Sequence, residues 1–286
     1  MILIVDSPYI CHLYKHCLAG LNYEERQTGI IFGFMRQVLR LARDFETRKF
    51  VFAWDSKKSW RRDNLDKEYK MNRKQERTEE ERQLDRLAYR QFAELRRYVL
   101  PKFGFRHIYI QTGRESDDLI ASVVLNMEGP KTIVSTDNDL WQLLTRCDMW
   151  NPSAKKLYTE KAFREEWGLG PPDWAMVKAL AGCPGDNVKG IPGVGEKTAA
   201  KFLRGELGKE TKAWGRITAA MNQGTVKANI PLVRLPLHGT KQIALTDADF
   251  EKEEFRRDDF LTLCDEYGFH SFRRDLLPWL KAFKIN

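Results

Sequence analysis

The chain has 286 residues, of which 42% are hydrophobic, and 48 Lys and Arg stand against 40 Asp and Glu. No apolar run approaches the roughly 18–20 residues that span a bilayer, so we expect a soluble globular protein without a membrane segment. The net charge of +8 favours a polyanionic partner. The five cysteines are odd in number and scattered without a CxxC pair, so neither a disulfide framework nor a zinc ribbon is indicated, and a reducing cytoplasm is expected.

Short β-rich segments alternate with helically spaced segments in the first part of the chain. The opening "MILIV" lacks the basic region and cleavage site of a signal peptide, and we expect it to form a buried strand. The predicted strands are 2–5, 49–54, 107–110 and 132–135, and the predicted helices are 84–99, 116–127 and 138–146. This alternation predicts a parallel α/β sheet covered on both faces. Only helices and turns are expected from about 173, so we place a domain boundary near 170.

One apolar face is predicted for the helix at 84–99. Its members recur at a spacing close to 3.6 residues, and they are Leu84, Leu87, Ala88, Leu95, Tyr98 and Val99.

Acidic side chains follow three of the four predicted strands. They are Asp6 after "ILIV", Asp55 after "FVFAW", and Asp137 with Asp139 after "TIVST". Ligand sites of open α/β sheets form at the carboxyl ends of the strands, so we expect these acids to meet at one edge.

The sequence "ESDD" at 115–118 opens the next predicted helix and adds further acids. These residues have an alternative role as helix caps, because acids and Ser favour a helix start. Several carboxylates at one edge would repel one another and raise their own pKa values unless a cation neutralised them. Ligation by carboxylates without a His or Cys cluster favours Mg²⁺ or Mn²⁺. Two such ions about 4 Å apart suit phosphodiester hydrolysis.

Residues 57–77 hold nine Lys or Arg against four acids and few aliphatic residues, so we expect this stretch to project from the core. A charge run of this kind is usually a solvated helix face. Its position directly after Asp55 favours contact with phosphates instead, with Tyr69 stacking on a base.

The glycine-rich stretch "GIPGVGEKTAAKF" at 190–202 is not a P-loop, because Glu196 separates Gly195 from Lys197 and a helix precedes it. A helix–hairpin–helix is the favoured interpretation, in which backbone N–H groups and a helix N-terminus face a DNA phosphate. Lys197 and Lys201, four residues apart, would face the same backbone. A tight turn between packed helices is the alternative.

Six motifs together resemble the 5′-nuclease (flap endonuclease) family, which includes bacteriophage 5′-exonucleases and the 5′-nuclease domain of bacterial DNA polymerase I. They are "ILIVDS" (2–7), "FAWDS" (52–56), "EYKMNR" (68–73), "ESDDLIAS" (115–122), "VSTDNDLWQLL" (134–144) and "GDNVKGIPGVGEKTAAKFL" (185–203). They occur in the family's order, and "LTLCDEYGFHSF" (261–272) resembles its final helix.

The resemblance implies a resolvase-like (PIN-like) α/β core over 1–170, with a helical arch at about 57–100. It also implies a C-terminal helix–hairpin–helix (H3TH) domain over 171–286. The implied activity is hydrolysis of DNA at 5′ flaps and 5′ ends in replication or repair. The implied cofactors are two Mg²⁺ ions, for which Mn²⁺ substitutes, and a K⁺ ion at the hairpin around 190–195.

The resemblance also assigns roles by position. The first metal would be held mainly by Asp6, Asp55, Glu115, Asp117 and Asp118, and the second by Asp137, Asp139 and Asp186. The implied catalytic residues are Asp6, Asp55, Arg73 and Lys70, the last on the scissile phosphate. The expected DNA-binding residues are Arg61, Arg62, Lys67, Tyr69, Lys70, Arg73, Lys74, Lys189, Gly193, Gly195, Lys197, Thr198 and Lys201.

Cys183 departs from the family's pattern. The family writes G-D-x-x-D-N where this chain has "GCPGDN" at 182–187, so a thiol stands where a second-metal carboxylate is expected. A thiol is a poor Mg²⁺ ligand and is mostly protonated at neutral pH. The hypotheses are an active nuclease, whose second site is sufficient or weakened, and a DNA-structure-binding homologue without cleavage. An introduced substitution at Cys183 also stays open.

The expected partner is DNA with a 5′ flap or a 5′ single-stranded end, and a replicative polymerase on another chain is a candidate partner. A monomer in the cytoplasm of a bacterium, or of a bacterium infected by phage, is expected. A PIN-like ribonuclease shares the acidic sheet edge but has no need of the hairpin at 190–202, and it is a further alternative.

Overall fold

The computed structural model describes residues 1–18, 20–74 and 78–285, without the side chains of Arg73 and Lys74. Within them the strands are β1 (Ile2–Asp6), β2 (Asn22–Tyr23), β3 (Arg26–Gln27), β4 (Phe50–Trp54), β5 (Ile108–Ile110), β6 (Lys131–Val134), β7 (Asp148–Asn151) and β8 (Lys156–Tyr158). The main sheet has the order β5-β4-β1-β6-β7-β8, and β2 pairs with β3 in a small hairpin.

Helices flank the sheet and form most of the C-terminal part. They are α1 (Ser7–Cys17), α2 (Gly29–Asp44), α3 (Trp60–Asn64), α4 (Glu79–Glu94), α5 (Leu100–Phe103), α6 (Ser116–Asn126), α7 (Glu160–Trp167), α8 (Trp174–Ala181), α9 (Glu196–Leu203), α10 (Lys212–Asn222), α11 (Thr225–Val233), α12 (Asp247–Phe250), α13 (Arg257–Glu266), α14 (His270–Arg274) and α15 (Leu277–Phe283). Short 3₁₀ turns occupy Met71–Lys74, Asn138–Leu143, Pro171–Asp173 and Pro184–Asp186, and a π-helical turn occupies Leu95–Val99.

The central strands confirm the predicted parallel sheet. β1 pairs in parallel with β4 on one side and with β6 on the other, and every residue of these three strands is buried. Burial on both faces explains their nearly continuous apolar sequences. β7 and β8 were not predicted, because both are short and β8 is an antiparallel strand at the edge of the sheet.

The segment predicted as a helix over 84–99 differs in two ways. α4 begins earlier, where Thr78 and Glu81 form a capping box, and a π-helical turn follows it from Leu95. Leu84 and Tyr98 are exposed, so the prediction that they share the buried face is wrong. The predicted helix at 138–146 is instead a 3₁₀ turn.

Two apolar cores lie on opposite faces of the sheet, because successive strand side chains alternate between faces. One face, with Ile4 and Val51, packs against α6 and the α8–α11 helices. The other face, with Phe50 and Phe52, packs against α1, α2 and the last helices.

The C-terminal helices return to the sheet. The ring of Phe283 lies 6.4 Å from that of Phe50 in β4, and the ring of Trp279 lies 5.6 Å from that of Phe103 in α5, measured between centroids. Residues after the predicted boundary near 170 therefore contribute to both cores, and that boundary stays a prediction. None of the helices in the described parts of the chain combines the length and apolar character that a membrane crossing demands.

Replacing Trp279 by Ala tests the contribution of this C-terminal return to stability. Trp279 is only 1% exposed, so Trp279→Ala should lower the free energy of unfolding by about 3–5 kcal/mol in a denaturant titration. The control Leu277→Ala, at a side chain that is 57% exposed, should change it by no more than about 0.5 kcal/mol. Equal effects of the two changes would contradict the packing described.

Candidate active site

The carboxyl edge of the sheet brings together acids from distant parts of the chain. Asp6 ends β1, Asp55 follows β4 directly, and Asp137 comes shortly after β6, and these three strands are neighbours. The first turn of α6 meets the same edge, since the Ser116 N–H donates to Asp55 at 2.8 Å and its hydroxyl donates to Asp6 at 3.2 Å. The topology therefore places the start of α6 beside the strand ends.

Asp6 and Asp117 are electrostatically strained by this arrangement. Burial, with the charges of Asp55 and Asp137, raises the pKa of Asp6 to about 7 despite a 2.7 Å hydrogen bond from Ser135. Burial followed by the charges of Asp137 and Asp6 raises the pKa of Asp117 well above its usual range. These carboxylates are thus close enough to repel one another, which is the condition that a bound cation relieves.

Lys70 forms ion pairs with two of the acids. Its Nζ lies 2.7 Å from Glu115 Oε2 and 3.5 Å from Asp186 Oδ2, and its backbone N–H donates to the Asp186 carbonyl at 2.8 Å. The side-chain amide of Asn72 donates to the Pro184 carbonyl. The chain from Lys70 to Asn72 is therefore folded against the site.

The burial of Tyr69 contradicts two predictions made from the sequence. The side chain is 2% exposed and its hydroxyl donates to Glu115 at 3.1 Å and to Asp186 at 3.3 Å. Its ring packs among the apolar side chains of the core, including Leu119. Stacking of Tyr69 on a base is therefore wrong for this structure. The expectation that the whole basic stretch projects from the core is also wrong.

Arg61 and Asp118 form a buried ion pair, which corrects the roles predicted for both. The guanidinium donates two hydrogen bonds to the carboxylate, at 2.7 and 2.8 Å. Arg61 is 2% exposed and Asp118 is 0% exposed, and the Leu237 N–H also donates to Asp118. Arg61 is therefore not on a DNA-binding surface. Asp118 is not free to bind a metal ion, since its oxygens hold α3 and the chain at Leu237.

Lys178 is a site residue that the sequence analysis missed. Its Nζ lies 3.0 Å from Asp139 Oδ1 and 3.2 Å from Glu196 Oε1, and it donates to Asn138 at 3.0 Å. Burial opposes its charge, but the charge of Asp139 leads the contributions that raise the pKa of Lys178. The sequence could have indicated this role, because Lys178 is the single cation of the apolar helix α8, "WAMVKALA". A buried ammonium needs carboxylate partners.

Cys183 faces this lysine and acid. Its Sγ lies 4.0 Å from Asp139 Oδ2, and the residue is 6% exposed. Burial, followed by the charge of Asp139, raises the pKa of the Cys183 thiol to about 12, so the thiol is neutral at neutral pH. Cys183 therefore supplies no charge to the second acidic group, which consists of Asp137, Asp139 and Asp186.

The loop that carries Cys183 is held by its backbone. α8 ends at Ala181, and Cys183 and Val188 exchange two backbone hydrogen bonds of 3.0 Å each. A Cβ on Gly190 would lie 1.9 Å from the Ala181 carbonyl oxygen, so only glycine permits this close approach. Cys183 is thus part of a closed loop beside the acids and not the end of the helix.

The glycine turn that precedes α9 presents the other predicted DNA-binding residues. Gly193 adopts a φ of 74°, which favours glycine, and Gly195 directly precedes α9. Lys197 and Lys201 are exposed, and Thr198 is half-buried. Glu196 contacts Lys178, so this turn is joined to the acidic edge at Asp139.

The remaining predicted DNA-binding residues that the structure describes differ in exposure and contacts. Lys67 is exposed, Arg62 is half-buried, and Lys189 donates to Glu68 at 2.8 Å. The side chains of Arg73 and Lys74 are outside the described residues.

The donor set fits a hard cation by its chemistry. In the described ranges, no group of three or more His, Cys, Asp or Glu side chains is already drawn together closely enough to hold a metal ion. Lys70 engages Glu115 and Asp186, and Lys178 engages Asp139, while the pKa values of Asp6 and Asp117 stay raised. Oxygen-only donors with raised pKa values at Asp6 and Asp117 nonetheless suit a divalent cation of the Mg²⁺ type.

Residues 1–168 match the family model of the 5′-3′ exonuclease N-terminal resolvase-like domain. The chain belongs to the 5′-3′ exonuclease family and is a nuclease. The 5′-3′ exonuclease of Buchnera aphidicola is 30% identical over 211 residues, which cover 71% of this chain and 69% of that protein. DNA polymerase I of Bacillus caldotenax is 28% identical over 298 residues, which cover 95% of this chain and 32% of the polymerase. The chain therefore spans about a third of that polymerase.

Solved structures confirm the fold class of this family member. The T5 D15 protein co-crystallised with metal ions has a TM-score of 0.70 at 24% identity, over 82% of this chain and 89% of that one. The T5 5′-exonuclease with bound zinc has a TM-score of 0.68 at the same identity and coverage. The resolvase-like α/β core predicted from the sequence is thereby confirmed, and the roles of individual site residues stay predictions.

The buried ion pair between Arg61 and Asp118 makes a stability prediction. Arg61→Leu leaves a buried carboxylate without its partner and should lower the free energy of unfolding by about 3–5 kcal/mol. The double variant Arg61→Leu/Asp118→Leu removes both charges and should be more stable than the single variant. Denaturant unfolding measures both, and a single variant as stable as the wild type would contradict the pairing.

Proposed function

We propose that this chain is a structure-specific 5′ nuclease that hydrolyses DNA phosphodiesters at 5′ flaps and 5′ ends. The observation that carries the proposal is the convergence of acids from β1, β4, α6 and the turn after β6 beside Lys70. Membership of the 5′-3′ exonuclease family supports the same reaction. The T5 D15 protein, which shares the fold, is described as a flap endonuclease in complex with DNA and metal ions.

Two divalent cations complete the proposed site, with Mg²⁺ as the expected ion and Mn²⁺ as a substitute. The first would be held by Asp6, Asp55, Glu115 and Asp117, and the second by Asp137, Asp139 and Asp186. When bound, such ions activate a water molecule and stabilise the leaving oxygen of a phosphodiester.

The protein's own groups orient the acids and meet the phosphate. Ser116 and Ser135 hold the Asp6 carboxylate through two hydrogen bonds, which limits its motion at the sheet edge. Lys70, now shared by Glu115 and Asp186, is proposed to contact the scissile phosphate, with Arg73 as a further cation. An ammonium already held over the acids needs little rearrangement to reach a phosphate oxygen.

The glycine turn before α9 is the proposed contact with duplex DNA. Backbone N–H groups and a helix N-terminus bind phosphate without base specificity. The proposed duplex contacts are Gly193, Gly195, Lys197, Thr198 and Lys201, with K⁺ at the same turn, and the proposed contacts nearer the site are Arg62, Lys67, Lys74 and Lys189. A monomer is proposed, which acts on replication or repair intermediates in a bacterial cytoplasm beside a polymerase.

The second cation site is proposed to be weaker than the first. Cys183 contributes a neutral thiol, and the Lys178 ammonium already lies 3.0 Å from Asp139, whose pKa burial and the charge of Asp137 still raise to about 6. Family membership favours an active enzyme over a homologue that only binds DNA structures, and over a ribonuclease. The expected consequence is slow cleavage in Mg²⁺ that Mn²⁺ partly restores.

Cleavage of a 5′-labelled flap DNA tests this proposal with Cys183→Asp. The added carboxylate should raise the Mg²⁺-dependent rate about tenfold, a change typical of altered support at a metal site. The gain should be smaller in Mn²⁺. Cys183→Ser, which adds no charge, should leave the rate near that of the wild type, and Asp55→Asn should abolish cleavage.

Each outcome of that experiment decides a separate point. Equal rates for the wild type and Cys183→Asp would show that Asp137, Asp139 and Asp186 suffice, and would contradict the weakened site. Tight flap binding without cleavage by either protein would contradict the proposed nuclease activity.

A further inference from the structure

A cleft of about 540 Å³ lies between α1 and α4, outside the site described above. Its lining includes His12, Lys15 and His16 from α1, and Glu81 and Asp85 from α4. None of the acids at the carboxyl edge of the sheet lines it. The cleft therefore holds a second group of side chains that can bind a ligand, and these side chains have a different chemistry.

His12 and His16 are one helical turn apart on α1. A separation of four residues places two side chains on the same face of a helix, and both residues are exposed. Two histidines at this spacing bind one Zn²⁺ ion from a single helix face. The pair therefore supplies two nitrogen donors for a divalent ion.

Asp85 supplies an oxygen donor from the opposite side of the cleft. Its carboxylate forms an ion pair with Lys15, the residue directly before His16, which brings Asp85 to the histidine-bearing side of α1. Glu81, one turn earlier on α4, adds a second negative charge, and its carboxylate accepts the Thr78 N–H at 2.8 Å. Two acids stand against one lysine in the lining, so the cleft favours a cation when its histidines are neutral.

Lys15 is the cation that Asp85 contacts in the structure. In the parts of the chain that the structure describes, no three metal-binding side chains are already close enough to hold an ion, and here the ammonium of Lys15 engages the carboxylate. The side chain of Lys15 is 20% exposed, so the ammonium can move into solvent while both helices stay in place. A divalent ion on the two imidazoles attracts the carboxylate more strongly than a single ammonium charge does.

We propose that His12, His16 and Asp85 bind a divalent ion of the Zn²⁺ type, which displaces Lys15 from Asp85. Imidazole donors suit Zn²⁺, whereas sites with oxygen donors alone suit Mg²⁺. With three protein ligands, water takes the fourth position around Zn²⁺. The ion joins α4 to α1, the helix that begins directly after Asp6. The inference is independent of the proposed function, because the ion binds without DNA.

A packing role for the histidines is the competing interpretation. The ring of His12 makes edge contacts with the rings of Phe92 and Tyr89, at 5.2 and 6.4 Å between centroids. His16 has no ring contact within the described residues, so packing does not account for it. Packing also predicts no effect of Lys15 on metal binding.

Competition for Zn²⁺ with a chromophoric chelator, in excess Mg²⁺ and without DNA, tests the site. The variant is His12→Gln/His16→Gln, and its control, His238→Gln/His270→Gln, replaces two exposed histidines outside the cleft. Denaturant unfolding checks that each variant is folded, and His16→Gln alone replaces the first variant if it is not. Nitrogen NMR of the histidine rings reports which imidazoles Zn²⁺ contacts.

The wild type and the control should bind one Zn²⁺ more than His12→Gln/His16→Gln, and Zn²⁺ should shift the ring nitrogens of His12 and His16. Asp85→Asn should weaken this binding about tenfold. Lys15→Gln should strengthen it, because the variant frees the carboxylate and removes a positive charge. Equal Zn²⁺ stoichiometry in the wild type and His12→Gln/His16→Gln would overturn the inference. Unchanged or weaker binding by Lys15→Gln would overturn it as well.

Discussion

Mutual repulsion among carboxylates at one edge of the sheet is the constraint on which the rest of the structure depends. The parallel order of β4, β1 and β6 brings Asp55, Asp6 and Asp137 together, and burial raises the pKa of Asp6 to about 7. The apolar cores on both faces stabilise a fold that holds these charges at an unfavourable separation. Carboxylates that repel one another in this way favour a bound cation, which is a protein ammonium group, a metal ion or both.

The three acids of "ESDD" differ in their contacts and therefore in their roles. Asp118 is enclosed and paired with Arg61, so its charge stabilises the junction of α3 and α6. Glu115 accepts from Lys70, which links the acids to the basic segment. Asp117 has a strongly raised pKa. One motif therefore contributes a buried ion pair, a link to a cation and a candidate metal ligand.

Short sequence patterns predicted the features that depend on residues close together in the chain. The strands and the acids that follow them could be predicted, because buried parallel strands have continuous apolar sequences and their ends converge. The pairing of Arg61 with Asp118, the burial of Tyr69 and the role of Lys178 could not. Each depends on a contact between segments tens of residues apart, and "KKSWRR" alone does not show which arginine turns inward. The packing of Trp279 against Phe103 has the same cause.

Calorimetric titration of the protein with Mg²⁺ and Mn²⁺ near pH 6.5, in buffers of different ionisation enthalpy, tests the central claim most directly. Asp6, with a pKa of about 7, is partly protonated there. Cation binding should therefore release protons, and Asp6→Asn should weaken binding and reduce that release. Binding without proton release, or no binding of either ion, would contradict the account of repelling carboxylates that a divalent cation neutralises.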